Sequence, residues 1–330
     1  MVVTLGLLAA TTAAASPTHV LRLATIAPDG TEWARLSRSF TREVYSATDG
    51  QVQIKWYFGG IAGGEGEVID RIRRGQLDGA ASGGMTCQRL APSMKVMRIV
   101  GLFQNRDEAL YVLSRLRPRL DRELADSGFA NLGEAGFGSD IIFSREPVGS
   151  LAQLRRGRYW VWDLDDLLQR ELPAMGIRVV PLAVENTAAS YEAQRSDGFL
   201  AIPTAALAYQ WSAQARYYTD LRLGYLMGCL VIANASFDPL PTAYQQSIRG
   251  AAAKLMRQVE EMGGRQDAAL LGELFQKQGL RRVPVSAQFR AEFFGAARAM
   301  RATLGDSLTS PQLLSDVSSW LADHRSEHQP

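Results

Sequence analysis

Residues 58–84 read F-G-G-I-A-G-G-E-G-E-V-I-D-R-I-R-R-G-Q-L-D-G-A-A-S-G-G, and much of the architecture follows from them. The run before them, residues 52–58, is β-branched and aromatic, which favours a strand. Glycines at positions 59, 60, 63 and 64 allow a sharp turn, because glycine adopts positive φ at little cost. A helix is expected from Glu65 to Gly75, since glycine commonly ends a helix, and residues 77–82 return to a sheet.

A strand, a glycine-rich loop and a helix are also the outline of a phosphate-binding loop. The details argue against that interpretation. There is no G-K-[ST] run and no G-x-G-x-x-G spacing, and two carboxylates, Glu65 and Glu67, stand at the helix start where a phosphate would lie. The stretch therefore does not predict a nucleotide site.

The same residues closely resemble the pattern G-G-x-L-G-G-E-x-E-x-x-x-x-x-x-x-G-x-L-D-G of the DctP-type solute-binding proteins of TRAP transporters. Residues 24–33, A-T-I-A-P-D-G-T-E-W, are similar to the opening of that family. The resemblance covers nearly the whole mature chain. It implies a periplasmic-binding-protein-like α/β fold, in which two α/β domains are joined by a hinge and a long helix spans both.

Composition and charge set independent limits. The chain has 330 residues, 46% hydrophobic and 21% charged, with a formal charge of +2, so no basic surface for nucleic acid is implied. Its histidines, at positions 19, 324 and 328, lie near the termini, which argues against general-base, triad or zinc chemistry in the folded body. Cys87 and Cys229 have no metal or redox spacing; they either pair after export or remain two buried thiols.

The amino terminus predicts export. Residues 1–15 form a short apolar run that ends in A-A-A before Ser16 and Pro17, which is typical of a secretory signal peptide and too short to span a bilayer. We therefore expect a periplasmic protein.

Strands alternate with helices along the rest of the chain, which predicts parallel α/β sheets, two of them. We expect a helix over residues 106–116, a second one from Pro118 to 127, and a long helix over 242–278 that bends at Gly263 and Gly264. Two further helices, 287–304 and 311–325, end the chain. The predicted division is a signal at 1–15, domain I at 18–137 with 225–260, and domain II at 138–224 with 261–330.

The resemblance places a ligand cleft between the domains, yet the anchor positions differ from the family. Most members bind an organic acid through an arginine in G-x-K-I-R-V; this chain reads L-R-R-G-R-Y-W-V-W, with Trp160 at that place. A second arginine, in G-F-R, is replaced by Gly138, and the family's D-G-x-x-N-P becomes D-G-F-L-A-I-P. Strand alternation puts Arg158 on the face of Trp160, so Arg158 is a candidate displaced anchor.

These changes predict a neutral or hydrophobic ligand, because an unpaired buried carboxylate is costly. The alternatives are a carboxylate binder anchored by Arg158 and a non-transport interaction protein. An enzyme is not expected, nor is a cofactor or metal. The partners implied are TRAP membrane subunits and, by analogy with one subfamily, a tetratricopeptide-repeat protein. The candidate ligand-binding residues are Trp33, Met85, Phe137, Arg158, Trp160, Trp162, Phe199 and Tyr225. Apart from Arg158, at least two of these residues are expected to belong to the hydrophobic core.

Overall fold

The structure is a computed structural model that describes residues 17–327. The signal peptide predicted for residues 1–15 lies outside this range. The strands are β1 (His19–Ala24), β2 (Val52–Tyr57), β3 (Gly79–Ser82), β4 (Phe129–Ser139), β5 (Ile141–Ser144), β6 (Arg158–Trp162), β7 (Arg178–Leu182), β8 (Gly198–Ala201), β9 (Tyr217–Thr219), β10 (Tyr225–Ala233) and β11 (Arg281–Val283).

Helices fill most of the remaining chain. They are α1 (Glu32–Ala47), α2 (Glu65–Arg73), α3 (Met85–Leu90), α4 (Arg106–Asp126), α5 (Leu151–Arg156), α6 (Leu168–Ala174), α7 (Thr187–Glu192), α8 (Pro203–Ala208), α9 (Asn234–Phe237), α10 (Thr242–Ala269), α11 (Phe275–Lys277), α12 (Ala287–Leu304) and α13 (Pro311–Glu327). No helix between residues 17 and 327 is both long and apolar enough to cross a membrane.

The strands form two sheets, as the alternation of strands and helices predicted. The first has the order β2-β1-β3-β10-β4, in which β1 pairs parallel with β2 and β3, and β10 runs antiparallel to β3 and β4. The second has the order β11-β9-β5-β8-β6-β7. Helices α1 and α10 cover one face of the first sheet, where Phe40, Val44 and Leu255 are buried against its strands.

The chain crosses between the sheets at two points that lie side by side, and a third time through α10, which leads from β10 to β11. It leaves the first sheet after β4 and returns before β10, and the two crossings are hydrogen-bonded to each other. Asp140 donates its N–H to the Gly224 carbonyl at 3.1 Å, and Leu223 donates to the Asp140 carbonyl at 3.0 Å. The two adjacent crossings and helix α10 therefore join the two sheets, and the division into hinged domains stays a prediction.

The glycine loop folds as its sequence predicts. Gly59, Gly60 and Gly63 have φ of 66°, 75° and 97°, in the region that favours glycine. The Glu65 side chain also makes hydrogen bonds outside helix α2. It is buried, and its carboxylate accepts hydrogen bonds from Ser82 Oγ at 2.8 Å, from the Thr86 N–H at 2.8 Å and from the Gly83 N–H. This carboxylate fixes the start of α2 to the loop that follows β3.

The helix break predicted at Pro118 is wrong. Helix α4 runs without interruption from Arg106 to Asp126 with Pro118 inside it. Pro118 is exposed, so the carbonyl that loses its partner, that of Ser114, is on the solvent side and is accessible to water. Buried leucines on both sides of the proline, Leu116 and Leu120, hold the helix against the first sheet.

The long helix predicted over residues 242–278 is present, but it is irregular at residues 270–274 and not at Gly263 and Gly264. Helix α10 continues through Gly263 and Gly264 to Ala269, and a π-helical turn, Leu270–Leu274, connects it to α11. A Cβ on Gly263 would lie 3.2 Å from the carbonyl oxygens of Gly136 and Phe137. Gly263 therefore allows the helix to approach β4 closely.

The two cysteines form a disulfide. Cys87 in α3 is bonded to Cys229 in β10, across 142 residues of sequence, with the Cα atoms 6.0 Å apart. Of the two alternatives that the sequence left open, the structure selects the bonded pair. Such bonds persist in oxidising compartments, which agrees with the export signal predicted for the amino terminus.

The last two helices pack on different parts of the molecule. Helix α12 lies against α5 and α6, beside the second sheet, whereas α13 lies on α4, beside the first. An ion pair between Arg325 and Glu108, 2.8 Å long, fastens α13 there. The assignment of residues 261–330 to a second hinged domain stays a prediction.

Candidate functional site

A cleft of about 1120 Å³, measured with its opening to solvent, lies between the two sheets. Its walls come from the carboxyl ends of β1, β3, β6 and β8 and from the face of α10, which is where open α/β sheets bind ligands. Most of the lining is apolar. The polar and charged side chains that line it, among residues 17–327, are Thr25, Ser37, Ser82, Arg98, Asp140, Asp165 and Tyr209.

Four of the eight predicted site residues line this cleft: Trp33, Phe137, Trp160 and Trp162. Trp33 and Phe137 meet edge to face on the side of the first sheet, with ring centroids 5.9 Å apart. Trp160 lies on the opposite wall, where its indole N–H donates to the carbonyl of Leu182 at 3.0 Å. A ligand between the walls would therefore contact aromatic rings from both sheets.

Phe137 reaches the cleft because of a glycine on the neighbouring strand. A Cβ on Gly228 would lie 2.0 Å from Cε2 of Phe137 and 2.3 Å from the carbonyl oxygen of Ser82. No side chain fits in that space. The ring of Phe137 occupies it and is held against β10 with its edge toward Trp33.

Arg158 does not line the cleft. It is on the same face of β6 as Trp160, as alternation predicted, but it is the first residue of the strand and lies at the end away from the cleft. Its guanidinium binds Asp197, with Nε and Nη2 each 3.0 Å from a carboxylate oxygen, and Nη2 also donates to the Gln194 carbonyl at 2.8 Å. This pairing lowers the pKa of Asp197, and the side-chain hydrogen bonds from Arg158 are the largest cause.

The other three predicted residues are core. Met85 begins α3 and is 2% exposed. Phe199 stacks on Phe143 at 4.9 Å within the second sheet, and Tyr225 packs edge to face on Phe103 at 6.0 Å. These positions agree with the expectation that at least two of the seven candidates would be core. Strand alternation could not separate them from the cleft residues, because buried residues and cleft-facing residues on one face of a sheet follow the same alternation.

Two aromatic residues of the cleft were missed. Tyr209 and Trp211 stack at 4.9 Å, and Trp211 packs edge to face on Trp160 at 5.1 Å. The residue pattern predicts one helix over residues 205–213, whereas α8 ends at Ala208 and Gln210 adopts a left-handed conformation with φ of 60°. That turn, invisible to helical periodicity, brings both rings into the cleft. The Tyr209 hydroxyl donates to the Ile26 carbonyl at 2.8 Å.

A buried ion cluster was missed as well. Arg98 Nη1 lies 2.7 Å from Asp140 Oδ2, and its Nε lies 3.0 Å from Asp165 Oδ2, which also accepts from Nη2. All three residues line the cleft and are at least 95% buried. The signal was the lone arginine in the apolar run M-R-I-V-G-L-F, because an arginine is rarely buried without a partner.

The pKa of Arg98 reflects this balance. Burial disfavours the positive charge, but Asp140 and Asp165 together outweigh burial and raise the pKa of Arg98, so the guanidinium stays charged. Burial raises the pKa of Asp140, and Arg98 opposes that rise. Every nitrogen of the guanidinium thus faces a carboxylate of the protein.

Trp33, which lines the cleft, also carries a hydrogen-bond donor. The indole Nε1 of Trp33 is buried and makes no hydrogen bond to the described residues. A ligand with an acceptor atom at this position would satisfy it. Residues 17–327 contain no group of three or more His, Cys, Asp or Glu side chains placed to hold a metal ion.

The chain was compared with known proteins. Residues 23–304 match the bacterial extracellular solute-binding proteins of family 7, DctP. A solute-binding protein of Chromohalobacter salexigens is 26% identical over 233 residues, which cover 68% of this chain and 68% of that protein.

Solved structures share the fold. A TRAP periplasmic solute-binding protein from Haemophilus influenzae, with bound L-gulonate, superposes with a TM-score of 0.83 at 17% identity, over 92% of this chain and 99% of that one. One from Chromohalobacter salexigens, with bound D-glucuronate, gives 0.82 at 22% identity over the same shares of 92% and 99%. The family match spans most of the sequence, so this chain belongs to the DctP family of bacterial extracellular solute-binding proteins.

Proposed function

We propose that this protein captures a small neutral or hydrophobic molecule in its cleft, in the periplasm, and delivers it to the membrane subunits of a TRAP-type transporter. The observation that carries the proposal is the lining: it is apolar and aromatic, and its arginine, Arg98, is held by two aspartates. Apolar ligand area buried there contributes roughly 25 cal/mol per Å².

Organic acids are the main alternative, because the two solved relatives bind L-gulonate and D-glucuronate. Three features of this chain argue against a carboxylate. Trp160 and Gly138 stand where the family resemblance places arginines, and Arg158 points to Asp197 at the far end of its strand. A carboxylate buried beside Trp160 would therefore lack the two parallel hydrogen bonds that a guanidinium gives.

Capture by closure fits the arrangement of the two sheets. They are joined by adjacent crossings at Asp140 and Gly224, and the Tyr209–Ile26 hydrogen bond links the cleft walls. A ligand that contacts both walls favours the closed form, and closure would present both sheets to the membrane subunits in a fixed relation. A tetratricopeptide-repeat partner stays a prediction from the resemblance alone.

Two other classes are weaker. An enzyme on this fold would need a nucleophile and a base in the cleft, and the known members and structural relatives are binding proteins. A non-transport interaction protein would not need an open aromatic cleft of this size, which favours a ligand.

The proposal is tested by native mass spectrometry of the protein as purified, followed by a thermal-shift panel. We expect a co-purified apolar compound, and stabilisation by fatty or aromatic compounds that weakens in Trp162→Ala. Trp320→Ala is the matched control, because Trp320 packs on the core outside the cleft. Stabilisation by C4-dicarboxylates or sugar acids, with no response to apolar compounds, would overturn it.

A further inference from the structure

The charged residues that line the cleft, within the described part of the chain, are Arg98, Asp140 and Asp165. With all three ionised, their formal charge is −1. A lone arginine in an apolar cleft would attract a carboxylate, whereas this arginine is already neutralised with one negative charge to spare. The electrostatic preference of the cleft is therefore opposite to what the presence of Arg98 suggests.

Each nitrogen of the Arg98 guanidinium already lies close to an aspartate oxygen. Nε and Nη2 donate hydrogen bonds to Asp165, and Nη1 forms an ion pair with Asp140. A ligand carboxylate that approached Arg98 would also approach Asp140 and Asp165, whose negative charges repel it. Asp165 is fixed further by the N–H of Leu168, which donates to its Oδ1 at 3.1 Å at the start of α6.

A further buried carboxyl, that of Glu65, lies directly behind the lining. The buried carboxyl of Glu65 binds Ser82 and Gly83, both of which line the cleft. Burial raises the pKa of Glu65, and its hydrogen bonds from the Thr86 and Gly83 N–H groups and from Ser82 oppose the rise.

The rest of the lining suits a cation with an apolar body. Six aromatic side chains, which we call the aromatic set, line the cleft: Trp33, Phe137, Trp160, Trp162, Tyr209 and Trp211. Aromatic rings attract organic cations through their quadrupole, tryptophan most strongly, and a nearby carboxylate attracts the same cation through its charge. The cleft presents both components.

We propose that the ligand is a hydrophobic organic cation, a protonated or quaternary amine whose charged end lies by Asp140 and Asp165 and whose apolar body contacts the aromatic set. This inference rests on the proposed function and narrows it to one class of ligand. The body of the ligand gains from burial, and the charged end gains from the excess carboxylate.

The test compares three compounds that share a phenylethyl group and differ in charge: 2-phenylethylammonium, 2-phenylethanol and 3-phenylpropionate. Calorimetric titration of the wild-type protein should show the ammonium compound binding about tenfold or more tightly than the alcohol, and the carboxylate weakest. In Asp140→Asn the preference for the ammonium compound over the alcohol should shrink. Asp197→Asn is the matched control: it removes the same charge from an exposed pair outside the cleft.

The outcomes separate the two proposals. If the alcohol binds as tightly as the ammonium compound or more so, and the carboxylate does not bind, this inference is overturned while the neutral-ligand proposal stands. If the carboxylate binds most tightly, both are overturned. The comparison in the wild-type protein decides the matter even if Asp140→Asn does not fold.

Discussion

The hydroxyl of Tyr209 donates a hydrogen bond of 2.8 Å to the carbonyl oxygen of Ile26, and this contact joins the two walls of the cleft. Tyr209 follows α8 beside the second sheet, and Ile26 follows β1 in the first. The bond therefore exists only while the walls are close. We expect it to favour the closed form proposed above, without adding to the interior of either sheet.

Tyr209→Phe should loosen the closed form. Losing this hydrogen bond costs on the order of 1 kcal/mol, so we expect ligand affinity to fall about fivefold, mainly through faster release. Stopped-flow release of a bound ligand measures this. Tyr45→Phe, on the exposed side of α1, is the control. An unchanged release rate would show that the bond has no part in closure.

Reduction of the Cys87–Cys229 bond should destabilise the protein. Opening a loop that spans 142 residues removes about 5 kcal/mol of stability in the chain-entropy model. Thermal unfolding with and without reductant should show a large fall in Tm, and the Cys87→Ser, Cys229→Ser double variant should match the reduced protein. Equal Tm values for oxidised and reduced wild type would contradict the bond.

Glu171 should make stability depend on pH. Its carboxyl is buried, and burial raises its pKa to about 8, from 4.5, with Asp165 also raising it and the Val100 N–H, Arg98 and Arg301 lowering it. Between these values the folded state binds more protons than the unfolded state, so this group's stabilising contribution is full below pH 4.5 and falls as pH rises to about 8.

Glu171→Gln removes that titration. The variant should gain stability relative to wild type as pH rises from 5 to 8, by a few kcal/mol at the upper end (roughly 1.4 kcal/mol per pKa unit). Urea unfolding at several pH values measures the difference. Glu273→Gln, on the surface, is the control. A constant difference across this range would refute the raised pKa.

Gly228→Ala should move Phe137 out of place. The new Cβ would lie within 2.0 Å of the ring and 2.3 Å of the Ser82 carbonyl, and such overpacking costs about 1–3 kcal/mol of stability. Ligand affinity should fall as well, since the ring lines the cleft. Gly250→Ala, with open space around its Cβ position, should leave binding unchanged. Both effects are measured by thermal unfolding and titration, and unaltered binding by the Gly228 variant would count against a role for Phe137.

Local pattern alone predicted much of this molecule. The glycine loop before Glu65, the capped helix α1 that begins after Thr31, and the long helix from Thr242 are each encoded within a few neighbouring residues. The family motifs led to Trp33, Phe137 and Trp160, and Trp162 was chosen as an aromatic residue close to them; all four line the cleft.

Only the tertiary structure decided the rest, because the deciding partners are far apart in sequence. Arg98 meets Asp165 across 67 residues, and Cys87 meets Cys229 across 142. Strand alternation predicted the face of β6 on which Arg158 lies, but it could not predict which end of β6 borders the cleft. A proline inside a helix costs a backbone hydrogen bond, which is a local effect, so the sequence predicts a helix break at Pro118. The burial of Leu116 and Leu120 against the first sheet offsets that cost, and this burial depends on the tertiary structure.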